Sequence, residues 1–234
     1  MLALDIENMS LFKLITNVYF VVVTITMLYS FYLAIFKKIT LRQKYFYLYI
    51  SLVFLCDVFG YFIRVYFKID QFYPYFTFLI LHIAYFGYFY YLEFQNTSFK
   101  ISSIMMSVIS IILIISFQIN SNSLELSPEI FIVYIFYNIL VGLIWFLYIV
   151  NNIDDISITS KQSFWISVAL IFWSVFGMLR YIPIYSLFKV DEEFLNTTNT
   201  VFGFVNVATY IIYIKALKCT GYNVLRNFNY LKNK

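Results

Sequence analysis

The chain has 234 residues, of which 62% are apolar, 23% aromatic and only 12% charged, too little polar surface to coat a water-soluble globule. Its formal charge of +4 is split among the segments that flank apolar runs, which excludes the single basic stripe of a nucleic-acid-binding protein. Those segments are short, so no soluble catalytic or nucleotide-binding domain fits between them.

An unpaired backbone amide in hydrocarbon costs several kcal/mol, so a chain crosses a bilayer only as helices or as a closed barrel. The apolar runs have helical length, roughly 17–25 residues. They predict an all-α, polytopic membrane protein: one domain over 1–234 with seven transmembrane helices near 14–36, 45–67, 73–94, 101–118, 129–150, 163–186 and 198–217.

The first run follows Asp5 and Glu7, exceeds a signal-peptide core and lacks a small-residue cleavage site, so it is read as a retained helix. The second carries Cys56 and Asp57, and the third, with Pro74 at its start, aligns His82, Tyr85, Phe89 and Glu93 on one face. Ser103, Ser107 and Ser110 give the fourth a small-residue face for close packing. Ser127, Pro128 and Glu129 open the fifth as an N-cap, a first-turn proline and a dipole-favoured acid, and Asn138 follows within it. The sixth holds Gly177 and Arg180, and Pro183 is expected to kink or end it. In the seventh, Asn199, Gly203, Asn206, Tyr210 and Tyr213 recur every three or four residues, a stripe of amides and phenols. Cys56 and Cys219 fall at different depths, too far apart for a disulfide.

Alternating the loops puts eleven basic residues on one side, among them Lys37, Lys38, Arg42, Lys44, Lys100 and Lys161, against Lys13, Arg64, Lys68 and Lys189 on the other. The positive-inside rule then sets the N-terminus outside and the C-terminus in the cytoplasm.

Ionisable residues deep in a span cost about 2.5–3.5 kcal/mol each at the helix centre, so each invites a reason. At a rise of about 1.5 Å per residue, Asp57, His82, Asn138 and Asn206 all lie roughly 12–15 Å below the outer surface, with Arg180 at about 9 Å. Five helices therefore present polar groups at one level. This layer predicts an outward-facing polar pocket near mid-membrane, with Asp57, His82, Asn138, Arg180, Asn206 and Tyr210 as ligand-binding residues. Arg180 either pairs with Asp57 or stays free to hold an anion. The competing reading treats the same groups as interhelical packing glue, at about 0.6 kcal/mol per hydrogen bond.

No phosphate loop, nucleophile motif, metal-ligand spacing or cofactor motif is present. Lys215 stands at the cytoplasmic edge beside Lys218, too shallow for a retinal Schiff base. Val58-Phe59-Gly60 before Arg64 and Val175-Phe176-Gly177 before Arg180 hint at a three-plus-one-plus-three repeat of the kind small transporters use.

Phe164-Trp165-Ile166 opening the sixth helix, and Asn206, Tyr210, Tyr213, Ala216, Leu217 and Cys219 in the seventh, resemble a group of seven-helix inner-membrane proteins of Bacteroidetes-type bacteria. Helix number and length extend the resemblance over the whole chain. Many members are encoded beside two-component signalling genes, so it implies a sensory or accessory role in a bacterial inner membrane, with a cytoplasmic or membrane signalling partner. Members often carry a carboxylate in the third helix, where this chain has His82. The expectation is therefore a receptor-like sensory module in a lipid bilayer, taking a small polar or anionic ligand. The alternatives are a small-solute or ion transporter, a structural subunit of a membrane complex, and a lipid-acting enzyme using Asp57 or His82 as base.

Overall fold

The computed structural model describes residues 2–67, 72–121, 126–152, 157–186 and 192–232; within these, side chains are described except at 2–10, 63–65, 72–73, 182–186, 192 and 221–232. The described residues form seven rods. Helix α1 is Leu2–Phe36, and α2 covers 46–67 as an α-helical piece Phe46–Phe54, a π-helical turn Leu55–Phe59 and a second α-helical piece Gly60–Phe67. Then follow α3 (Phe72–Glu93), α4 (Thr97–Ser121), α5 (Pro128–Asn151), α6 (Gln162–Ser186) and α7 (Glu192–Lys232), with a single 3₁₀ turn at Ile158–Ser160 before α6. Six of the seven are long and apolar enough to cross a membrane, and α2 is apolar over the shorter stretch Phe46–Phe62.

The distribution of side chains is inverted relative to a soluble protein. Phe36, Leu41, Tyr66, Ile119 and Val150 are each at least 67% exposed, while Thr26, Ser30, His82, Ser103, Asn138 and Ser167 are at most 2% exposed. Water rejects such an exterior, and hydrocarbon accepts it. The chain is a helical, multi-pass membrane protein.

The seven runs seen in the sequence correspond to these helices, with two systematic differences. α1 begins at Leu2 rather than near 14, and α7 continues to Lys232 rather than stopping near 217. Hydropathy marks the part of a helix that lipid covers, and the hydrogen-bond ladder continues beyond it. Pro183 does not end α6, which runs on to Ser186. At α5 the extended Ser127, first-turn Pro128 and Glu129 stand as expected, but the Ser127 hydroxyl makes no capping bond and is buried without a partner.

The helices pack in a ring that follows chain order and closes where α7 meets α1. α3 also touches α5 directly, which displaces α4 to the outside of the ring. Small residues set how closely α4 packs on α3. A Cβ on Gly87 of α3 would sit 2.8 Å from the Ser107 Cβ of α4. The hydroxyl of Ser103 donates to the Gly87 carbonyl at 3.0 Å, and the Tyr137 hydroxyl of α5 lies 3.0 Å from that of Ser107 while donating to the Ile83 carbonyl at 2.9 Å. Ser103 and Ser107 of α4 thus form the packing surface the composition implied, while Ser110 is only half-buried.

Between α1 and α2 the backbone takes left-handed conformations at Lys38, Lys44 and Tyr45, with φ of 49°, 50° and 58°. Such conformations cost about 1–3 kcal/mol each outside glycine and persist where surroundings hold them. Here the fully buried Gln43 anchors the segment, its side-chain amide donating to the Ser30 carbonyl at 3.2 Å.

Candidate functional site

A cavity of about 350 Å³ opens among six of the helices. Its walls come from 12–20 of α1, 49–61 of α2, 75–82 of α3, 131–138 of α5, 170–181 of α6 and 199–213 of α7. Since neighbouring helices run in opposite directions, these stretches all belong to the end of the bundle where α1 starts. α4 contributes nothing, because the α3–α5 contact shuts it out.

Asp57, His82, Asn138, Arg180, Asn206 and Tyr210 all line this one cavity. So does the entire α7 stripe of Asn199, Gly203, Asn206, Tyr210 and Tyr213. The structure therefore brings the depth layer and the α7 stripe to one cavity, leaves Tyr85, Phe89 and Glu93 of the α3 stripe outside its lining, and separates the roles of the residues it gathers.

His82 is tied down. Its Nε2 lies 2.9 Å from Asn138 Oδ1, and its Nδ1 lies 3.2 Å from the Tyr49 hydroxyl and 3.1 Å from the Tyr134 hydroxyl. Nε2–H donating to the amide oxygen leaves Nδ1 as the acceptor for the phenols, a self-consistent tautomer that uses both ring nitrogens. Phe78, Phe86 and Tyr134 surround the ring edge-on. The histidine thus forms the floor of the cavity and holds α2, α3 and α5 in register. Beside it, Asn138 Nδ2 has no partner.

Asp57 stands in the π-helical turn of α2. An i→i+5 turn bulges the helix and is a recurrent device at functional sites. The Tyr19 hydroxyl of α1 donates to the carboxylate, and the Tyr19 ring meets Tyr210 edge-on at 5.6 Å. Across the cavity, Trp173 Nε1 donates to Asn206 Oδ1 at 2.8 Å, joining α6 to α7.

Arg180 lies seven residues beyond Trp173, about 10 Å further along α6 toward the same end of the bundle. Its guanidinium rests 4.7 Å from the Phe202 ring centre and 5.1 Å from that of Tyr181, while its Nε is buried without a hydrogen-bond partner. Cation–π contact supports such a charge by about 0.5–2 kcal/mol and supplies no counterion. The Asp57–Arg180 pair offered by the sequence does not form: among the described residues the single ion pair is Lys44–Glu93. Asp57 and His82 are likewise not hydrogen-bonded to one another: Asp57 accepts from Tyr19, and His82 is held by Tyr49, Tyr134 and Asn138.

A second polar cluster sits at the opposite end of the bundle. Lys44 Nζ contacts Glu93 Oε2 at 2.7 Å and lies 4.6 Å above the Phe89 ring. Glu93 also accepts from the Ser163 hydroxyl and from Trp145 Nε1 at 3.4 Å, so one carboxylate ties the α1–α2 connection, α3, α5 and α6. The Tyr85 hydroxyl donates to the Lys44 carbonyl at 3.1 Å, and its ring stacks on Tyr49 at 5.1 Å. Along α3 the face His82, Tyr85, Phe89, Glu93 thus connects the cavity floor to this pair.

Sequence reasoning missed Lys44, read as a topology charge, and missed Tyr19, Tyr49, Tyr134 and Trp173, which are camouflaged among 23 tyrosines and 28 phenylalanines. The stripe ending in Glu93 was the available signal for the first. Among the described residues no three His, Cys, Asp or Glu side chains converge as a metal-ligand set. Comparison with family models, with curated proteins and with solved structures finds no match to this chain.

Proposed function

We propose that the chain is a seven-span sensory or receptor-like module, N-terminus outside and C-terminus in the cytoplasm of a bacterial inner membrane, whose outward cavity takes a small polar ligand. The observation that carries this reading is the convergence of Asp57, Asn138, Arg180, Asn206 and Tyr210 on one cavity at the end of the bundle where α1 begins. Occupancy shifts the balance between helix arrangements only through contacts that differ between them. The α3 face supplies such contacts: a ligand that displaces Tyr49 or His82 disturbs Tyr85, and through it the Lys44–Glu93 pair at the cytoplasmic end. A signalling partner reads that end.

A transporter is the second reading, favoured by the cavity drawing its walls from α1–α3 and α5–α7 while α4 stays outside. That division matches the three-plus-one-plus-three pattern. One experiment separates the two. The full chain is placed in proteoliposomes with a fluorophore on Lys218→Cys, in a background free of the native cysteines, and a panel of small amines, carboxylates, zwitterions and organic phosphates is added outside. A sensor gives a saturable fluorescence change without solute accumulation, abolished by Arg180→Leu. Accumulation of the solute inside the vesicles makes the protein a transporter instead, and no response to any solute contradicts both.

A further inference from the structure

Among the described residues, Asp57 and Arg180 are the only carboxylate and the only guanidinium in the cavity wall, and neither is ion-paired. Asp57 is met by a phenol hydroxyl from Tyr19, which donates a hydrogen bond but no charge. Arg180 is met by the faces of Phe202 and Tyr181, and its buried Nε is unpartnered. A carboxylate and a guanidinium placed in a membrane interior ordinarily relieve one another by direct pairing. Here both line one cavity and no ion pair joins them.

From this arrangement we infer that the ligand is a zwitterion, with a cationic nitrogen seated at Asp57 and an anionic group seated at Arg180, an inference that rests on the cavity being a ligand site. The walls agree. Tyr19, which donates to Asp57, and Tyr61, four residues further along α2, are aromatic lining residues of the kind that hold an ammonium, while the planar guanidinium of Arg180 offers a fork to a carboxylate or phosphate. A simple anion leaves Asp57 bare and is repelled by it. A simple cation does the same to Arg180. A neutral polar molecule leaves both charges without counterions. Only a molecule bearing both signs, joined by a short spacer that lies along the aromatic wall, satisfies the two ends at once.

The test uses the purified full chain in a maltoside detergent, with binding read by titration calorimetry and by the shift in thermal unfolding. The probes are glycine, β-alanine, γ-aminobutyrate and ε-aminocaproate, with hexylamine and caproate as single-charge controls. The expected result is an optimum spacer length within the series, with the best zwitterion binding at least tenfold more tightly than either control. Asp57→Asn should reduce that zwitterion to the affinity of caproate, and Arg180→Gln should reduce it to that of hexylamine. Asp57→Glu and Arg180→Lys, which keep charge and fold, should each retain part of the affinity.

Lysophosphatidylethanolamine carries the same two charges on a lipid. Preferential binding of it, with the same response to the variants, assigns the site to a lipid headgroup and keeps the inference. Equal binding of hexylamine or caproate and the best zwitterion overturns the zwitterion but leaves a ligand cavity, provided Asp57→Asn or Arg180→Gln abolishes it. Absence of binding by every probe overturns the inference. In that case Thr16→Cys, on the cavity wall, decides the rest: labelling by a water-soluble thiol reagent preserves the cavity as a site, and protection removes it as well.

Discussion

Replacing Glu93 with Leu should destabilise the protein far more than its position at the end of an apolar helix implies. The carboxylate accepts from Lys44 at 2.7 Å, from Trp145 at 3.4 Å and from Ser163, and the two charged side chains are only 16% and 17% exposed. Removing one partner of a buried pair leaves the other charge uncompensated, at a cost of about 3–5 kcal/mol. Phe89 lies 4.6 Å from the Lys44 ammonium and offsets part of this, about 0.5–2 kcal/mol, so Glu93→Leu should cost roughly 3 kcal/mol. Lys44→Met strands the carboxylate with two neutral donors and should cost about as much. The double variant removes both charges and should fall within about 1 kcal/mol of the parent, because apolar replacement of a whole buried pair is often neutral. Reversible unfolding of the four proteins in mixed micelles gives the coupling energy. Single costs below about 0.5 kcal/mol that simply add in the double variant would falsify this account and place the pair among solvent-screened surface contacts.

Three further outcomes follow from the packing and the cavity. Gly87→Ala should lose about 1–3 kcal/mol by forcing α3 from α4, since the new Cβ meets Ser107 Cβ at 2.8 Å; Ser107→Gly in the same chain should restore most of it, as chemical unfolding would show. His82→Leu strands the Tyr49 and Tyr134 hydroxyls and Asn138 Oδ1 around an apolar side chain, for a loss of about 1–3 kcal/mol, and a melting temperature equal to the parent's would contradict the tie described for the cavity floor. Arg180→Leu should insert and fold normally, because the arginine has no ion-pair partner to strand, yet abolish the ligand response in proteoliposomes; an unchanged response would reduce Arg180 to a membrane anchor.

The helices were legible in the sequence because lipid imposes a single rule, backbone satisfied within the segment and apolar side chains outside, on every span alike. The depth layer was legible for a related reason: Asp57, His82, Asn138 and Asn206 are too few and too costly in lipid to be scattered, and a fixed rise per residue locates them. Their partners were not legible. Whether Asp57 meets Arg180 or Tyr19 depends on the rotation of each helix about its own axis, which apolar residues on all sides leave undetermined. Lys44 illustrates the same gap, since a lysine that orients the chain and a lysine that neutralises Glu93 look identical until the segment before α2 lies against the end of α3. The π-helical turn at Leu55–Phe59 rests on one displaced hydrogen-bond register, for which the residues Leu-Cys-Asp-Val-Phe carry no mark.

The account depends on a water-accessible polar cavity that opens at the end of the bundle where α1 begins, and cysteine accessibility measures this directly. In a chain free of Cys56 and Cys219, Asn206→Cys on the cavity wall should react with a membrane-impermeant thiol reagent applied from the outer side, and Phe136→Cys, 51% exposed on the lipid face of α5, should not. Reaction of Asn206→Cys only from the cytoplasmic side, or protection of it from both sides, would contradict the account.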